Sequence, residues 1–229
     1  IFKDRFAGLL HSINDETGDR TLATAGSSQL IAGEDKIVEE LLGLNFEISM
    51  KSFFQTNPKS AEKLYSKVID YALENKGAID NTVVMDLFCG TGTIGQILAS
   101  RSTNAKIIGV DIVASAIKDA IKNAKRNNID GLQFYTADVG KFINEHPEYK
   151  NKIRTIILDP SRAGIAPKTL LKIIAINADR VIYVSCNPAT QARDTEEMMK
   201  HGYQIKKISL VDQFPHTSHI ETVVLFEKI

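Results

Sequence analysis

Cys186 is followed at once by Asn187 and Pro188, a capping residue and a proline suited to the first helical position. Its thiol is therefore expected beside a helix N-terminus, where positive partial charge lowers a cysteine below its free value of about 8.5 and makes it a nucleophile. An inert buried cysteine at a strand end is the commoner fate of a lone Cys, and both readings are open on this spacing alone. Four further polar residues stand where apolar runs end: Cys89, Asp111, Asp138 and Asp159. Ordinary capping of a strand explains any one of them equally well. Taken together they mark a shared rim, because ligands of open α/β sheets bind outside the carboxyl ends of the strands.

The segment Asp86-Leu-Phe-Cys-Gly-Thr-Gly-Thr-Ile-Gly95 carries glycines at 90, 92 and 95, with Asp111 about 20 residues on. Glycines let backbone approach a ligand, and an acid at the next strand end accepts ribose hydroxyls. That pattern serves nicotinamide dinucleotides and S-adenosylmethionine alike, so the loop does not discriminate between them. Cys89, inside the loop without a partner, reads as structural. His216 and His219 lack both the helical i, i+4 spacing and a third ligand of a metal pair, so no metal site is expected. Arg162 reads equally as a contact to a ligand phosphate or carbonyl and as a tie to a nearby carboxylate.

The elements that must position these residues alternate. After Asn57-Pro58, apolar residues at 61, 64, 65, 68, 69 and 72 predict an amphipathic helix ending at Gly77. Strands are expected over 82–87, 106–110, 132–136, 154–158 and 181–185, with helices from about Thr93, over 113–127, after 136, over 167–177 and over 188–201. Two last strands follow near 204–210 and 222–227. Such alternation predicts a mostly parallel sheet covered on both faces. Residues 1–50 read instead as part of a small β-rich subdomain, with turns at 14–19 and 25–28 and an extended run 37–50 broken at Gly43. Residues 51–229 form the second unit. The cationic residues 118, 122, 125 and 126 lie opposite Ala116, Ile117, Ala120 and Ala124, as on a solvated helix face.

The 229 residues balance 28 Lys and Arg against 28 Asp and Glu, without the basic excess of a chain that grips phosphate backbone unaided. Two widely separated cysteines exclude a disulfide framework and a CxxC metal cluster, which points to the cytoplasm. No apolar run approaches the roughly 18 residues of a membrane span. Ile1 in place of Met marks the chain as a fragment or a processed product.

Two later segments, Leu158-Asp-Pro-Ser-Arg-Ala-Gly164 and Tyr183-Val-Ser-Cys-Asn-Pro-Ala-Thr-Gln-Ala-Arg-Asp194, break the tie over the glycine loop. With Ser52-Phe-Phe-Gln-Thr-Asn57 upstream and Asp212-Gln-Phe-Pro-His-Thr-Ser-His-Ile-Glu221 downstream, the chain closely resembles the RNA uridine C5-methyltransferases over about residues 30–229. These enzymes make 5-methyluridine in transfer RNA and 23S ribosomal RNA. The resemblance implies a Rossmann-like class I methyltransferase sandwich with a seven-stranded mixed sheet, preceded by the remnant of a small β subdomain. It implies S-adenosyl-L-methionine as cofactor, surrounded by Gln55, Phe88, Thr93, Asp111, Asp138 and Asp159 with Gly90 and Gly92 in its loop. It implies Cys186 as nucleophile and Glu221 as base. An RNA-binding domain N-terminal to these residues, which would supply much of the RNA affinity, and a monomeric state are expected too. Pro160-Ser161, where many members have two prolines, and Thr93, where Asn is frequent, depart from the pattern without touching the reacting groups.

The chemistry asks for the same residue types. C5 of uracil is a poor nucleophile until a thiolate adds at C6, and the C5 proton must leave after methyl transfer, which needs a base within hydrogen-bond reach. Glu221, just before the apolar strand 222–226, suits that task. Such chemistry on a stacked base requires base flipping. Cytosine C5 methylation shares the addition logic, a nicotinamide dehydrogenase would leave Cys186 without a role, and an RNA-binding module that has lost catalysis would not need Cys186 and Glu221.

Overall fold

The computed structural model describes residues 6–13, 28–49, 54–74, 82–102 and 104–229. The chain opens with two antiparallel pairs. Strands β1 (Gly8–Ser12) and β2 (Ser28–Gly33) form one, and β3 (Lys36–Leu41) and β4 (Leu44–Ser49) the other. The turn expected at 14–19 and residues 25–27 lie outside the described residues. The break expected at Gly43 is a two-residue hairpin with positive φ at both Leu42 and Gly43, the sense that matches strand twist. The Leu42 amide N–H donates to Glu62 Oε1 at 2.9 Å, which ties that turn to the following helix.

Helix α1 (Pro58–Leu73) begins as its sequence requires, with Pro58 at the first position and the Asn57 side chain accepting from Ser60 N. It ends at Leu73 rather than at Gly77, which itself lies outside the described residues. There follow β5 (Val83–Leu87), α2 (Thr93–Arg101), β6 (Lys106–Asp111), α3 (Ala114–Arg126), β7 (Leu132–Thr136), α4 (Val139–Glu145), β8 (Ile153–Leu158), α5 (Pro167–Ala175), β9 (Arg180–Ser185), α6 (Pro188–Lys200), β10 (Tyr203–Val211) and β11 (Glu221–Lys228). Each strand from β5 to β11 matches its expected range to within one residue at either end.

The seven strands lie in the order β10-β11-β9-β8-β5-β6-β7. Neighbours from β9 to β7 are parallel, and β11 inserts antiparallel to both β9 and β10. Because both faces are covered, the strands are apolar throughout, yet successive residues still alternate between two cores. Val84, Ile107, Ile157, Val184 and Val223 face α1 and α2, where Leu64, Val68 and Ile97 meet them. Met85, Ile108, Ile156, Val181 and Val224 face the other layer, built by Phe142, Leu170, Ile173 and Met198. Each such buried aliphatic contributes about 1.5–3 kcal/mol.

The β3–β4 pair is not separate from this core, because Leu41 and Phe46 are fully buried against α1. Asn123 of α3 and Asn127, the residue that caps that helix one turn later, also use their side-chain amides like a neighbouring strand. Asn127 pairs with both backbone groups of Asn45 (2.9 and 3.0 Å) and Asn123 with both of Glu47 (2.8 and 3.1 Å). Arg126, read from sequence as part of a solvated face, is exposed and also forms an ion pair with Glu47.

From β5 the chain winds outward to β6 and β7, then crosses back to the other side of β5 for β8 and β9. The adjacent strands β5 and β8 therefore send their chain in opposite directions. This is the switch point at which an open sheet leaves a crevice beyond its carboxyl ends.

Candidate active site

One wall of the crevice is the loop from β5 to α2. The Phe88 and Cys89 amide N–H groups both donate to Val110 O (2.9 and 3.2 Å), and Phe88 adopts φ 63°. A left-handed phenylalanine is a strained conformation, of order 1–3 kcal/mol, and such strain is concentrated at functional sites. Gly92 at φ 67° begins α2, and a Cβ there would meet the Phe134 ring at 2.5 Å, so no other residue fits. Gly90 differs. At φ 52° a Cβ would meet nothing within 4 Å, so its backbone borders open space.

Asp111 at the end of β6 anchors this loop. Its Oδ2 accepts from Gly90 N and its Oδ1 from Val113 N, both at 2.8 Å, while each oxygen keeps a lone pair for a further donor. The Thr93 hydroxyl is buried and pairs with Thr91 Oγ1 at 3.1 Å, at the first turn of α2. Asp138, exposed beyond β7, caps α4 through Lys141 N at 2.9 Å. Cys89 is half-buried in this loop, and burial pushes its thiol well up.

The other wall holds the groups suited to covalent chemistry. Thr222 of β11 pairs in register with Ser185 of β9, so Cys186 and Glu221 fall on the next rung, side by side at the rim. Asp159 ends β8, the neighbour of β9. Neither the Asp159 nor the Glu221 carboxyl has a hydrogen-bond partner among the described residues. Asp159 is pushed up to about 8, mainly by burial and then by Glu221, Asp86 and Asp111. Burial raises Glu221 as well.

Cys186 corrects one expectation. It does precede α6, whose cap is the Asn187 side chain accepting from Ala189 N at 3.2 Å. Its thiol nevertheless lies above the ordinary value, because burial and the nearby carboxyls of Glu221 and Asp159 outweigh a backbone hydrogen bond and Arg162. Arg162 is exposed and makes no ion pair among the described residues, so the reading as a tie to a carboxylate has no support. Its carbonyl is what is used, accepting from Asn187 Nδ2 at 3.1 Å and Thr190 Oγ1 at 3.4 Å. Asp194, almost fully buried, completes the fastening of this loop to α6, accepting from Ile165 N at 3.0 Å and Tyr183 Oη at 2.7 Å.

Three residues of the site escaped sequence reading. Tyr65 belongs to the apolar stripe of α1 and reads as core, yet burial and the carboxyls of Asp159 and Glu221 push its hydroxyl well up. Asp86, inside β5, is fully buried. One oxygen accepts from Gly95 N at 3.0 Å, the other has no partner, and burial pushes the group up to about 7. Gln213 is fully buried beside Gln55, with its own amide oxygen unpaired, a cost of about 1–3 kcal/mol. Only the fold shows these, because a tyrosine on an apolar stripe or an acid inside a strand has no distinguishing spacing.

His216 and His219 are exposed in a turn that closes on itself through Thr217, and His219 lies edge-on to Phe214. No group of three or more metal-ligating side chains occurs among the described residues. No described helix is long and apolar enough to cross a membrane.

The family model for tRNA (uracil-5-)-methyltransferases matches residues 20–229. An uncharacterized RNA methyltransferase of Clostridium acetobutylicum is 44% identical over 221 residues, covering 96% of this chain and 46% of the relative. One from Clostridium tetani is 43% identical over 223 residues, covering 97% and 46%. The chain thus spans about half the length of the relatives it matches. Among solved structures, the Pyrococcus abyssi tRNA (uracil-54, C5)-methyltransferase in complex with S-adenosyl-L-homocysteine superposes with a TM-score of 0.73. It is 30% identical, over 96% of this chain and 51% of that one. M. jannaschii TYW2 in complex with AdoMet, at 16% identity and a TM-score of 0.59 over 88% and 91% of the two chains, shares the fold alone. With the matched model spanning nearly the whole chain and the seven-stranded methyltransferase sandwich beneath it, this chain belongs to the tRNA (uracil-5-)-methyltransferase family.

Proposed function

We propose that this chain is the catalytic part of an S-adenosylmethionine-dependent RNA methyltransferase that methylates C5 of a uridine in transfer or ribosomal RNA through a covalent adduct at Cys186. The observation that carries this reading is the register that sets Cys186 beside Glu221, with Asp159 on the adjoining strand.

The residues of the crevice fit S-adenosylmethionine. Gly90 borders open space without a Cβ, and Asp111 offers carboxylate lone pairs suited to ribose hydroxyls. Gln55, Phe88, Thr93, Asp138 and Asp159 are assigned to the same ligand by the family's motifs. When bound, the cofactor supplies a sulfonium methyl that a carbon nucleophile can take.

Cys186 acts on the base. Its thiolate adds to C6 of uracil, the C5–C6 π electrons move toward the C4 carbonyl, and C5 becomes nucleophilic. An acid near that oxygen stabilises the developing enolate, and Asp159, held protonated up to about pH 8, is a donor of the required kind on this wall. After C5 has gained its methyl group, Glu221 removes the C5 proton. The electron pair of that C–H bond re-forms C5=C6 and expels the thiolate. A carboxyl raised by burial is a stronger base than an exposed one, which suits that proton removal.

The test is mass mapping of 5-methyluridine in transfer and ribosomal RNA from cells with the gene, without it, and complemented with Cys186→Ala. One 5-methyluridine should vanish with the gene and stay absent in the complemented strain. Unchanged RNA in all three would remove the assignment.

A further inference from the structure

Gln213 is fully buried, and its side chain touches the two groups that begin α1. Its Nε2 donates to Asn57 O at 3.3 Å and to Gln55 Oε1 at 3.2 Å. Asn57 Nδ2 returns a bond to Gln213 O at 3.2 Å, and Ser60 Oγ donates to Asp212 O at 2.8 Å. The segment leading to Glu221 is thereby clamped to the segment carrying Gln55.

The polarity of this clamp follows from hydrogen-bond capacity. An amide side chain can be turned over without changing its shape, so its direction is fixed by its partners. The Asn57 carbonyl can only accept, so the Gln213 atom facing it must be the nitrogen. That nitrogen can only donate, so the Gln55 atom facing it must be the oxygen. Gln55 therefore spends its acceptor on Gln213, and its NH2 group points the other way. Gln213 retains this arrangement although its own oxygen stays buried without a partner.

We propose that Gln213 is a positioning residue that locks the Gln55 amide so that only N–H donors are offered to S-adenosylmethionine, selecting an acceptor group of the cofactor at that point. The inference rests on the reading of Gln55 as a cofactor contact. Gln213→Met keeps the volume and removes the donor, which frees the Gln55 amide to turn over. Gln55→Glu keeps the acceptor that Gln213 needs and removes the donors offered to the ligand.

The experiment is calorimetric titration of the intact protein with S-adenosylmethionine, together with the ligand-free melting temperature of each variant. Gln213→Met should weaken binding about fivefold while the melting temperature holds, since an unpaired buried oxygen is lost along with the donor. In a Gln55→Met background it should add nothing, because it acts through Gln55. Gln55→Glu should bind as weakly as Gln55→Met. Independent, additive losses, a lowered melting temperature with unchanged affinity, or normal binding by Gln55→Glu would each overturn the inference while leaving the cofactor assignment intact. Should Gln213→Met not fold, Gln55→Glu decides the matter. Normal binding by Gln55→Met would instead remove Gln55 from the cofactor site, and the inference with it.

Discussion

At the β5–β6–β7 end of the rim the carboxylates are tied to backbone N–H groups, Asp111 to two and Asp138 to one. At the β8–β9–β11 end, Asp159 and Glu221 have no such partner among the described residues, and both are raised by burial. The first arrangement fixes geometry, as a site that must hold the same ligand in every cycle requires. The second leaves groups whose protons can move, as bond making and breaking requires. The crevice thus joins a half of paired carboxylates to a half of buried carboxyls without such partners.

The largest effect that separates the halves is expected from Cys186→Ala. Methylation should fall by at least about 10⁴-fold, as when a nucleophile is lost, while calorimetry finds S-adenosylmethionine affinity nearly intact. Comparable losses of both would mean that the two halves are not functionally distinct. Asp111→Ala should do the reverse in kind, weakening cofactor affinity roughly 10- to 100-fold through lost charge-assisted bonds, about 1.5–3 kcal/mol. A lowered melting temperature with unchanged affinity would make Asp111 only an anchor for Gly90.

Smaller effects sharpen the picture of the proton-mobile half. Glu221 is the leading electrostatic cause, after burial, of the raised Cys186 thiol. Glu221→Gln should therefore speed iodoacetamide alkylation of Cys186 at pH 8 by a few-fold, and an unchanged rate would show that burial alone holds the thiol up. The raised carboxyls also predict a stability profile. Asp86 and Asp159 hold their protons in the fold up to about pH 7 and about pH 8, whereas in the unfolded chain they lose them near 3.8. Rising pH therefore deprotonates the unfolded chain first. This contribution to stability is full below about pH 3.8 and is lost through pH 7–8, at most about 1.4 kcal/mol per pH unit per group. Thermal melts from pH 4 to 8 should show the decline, and Asp86→Asn should flatten it.

Much of this arrangement was legible in the residues. Strand 132–136 and the cap Asn57-Pro58 follow from local rules, and the rim follows from parallel strands whose ends carry Asp111, Asp138, Asp159 and Cys186. The acidity of Cys186 did not follow, because a helix N-terminus can be read locally whereas burial beside Glu221 depends on a strand 35 positions later in the chain. Gln213 and Tyr65 were hidden for the same reason. The Gln213 bond to Gln55 and the carboxyls that raise Tyr65 are brought near only by the closed sheet.

The most direct test of the central claim, that Cys186 and Glu221 divide covalent addition from proton removal, uses Glu221→Gln with S-adenosylmethionine and substrate RNA. Addition and methyl transfer need no base at Glu221, but an amide cannot accept the C5 proton, so the protein should accumulate joined through Cys186 to methylated RNA. A slow-migrating species on a denaturing gel, containing methylated uridine by mass spectrometry, is the predicted result. Normal turnover, or inactivity with no adduct, would contradict it.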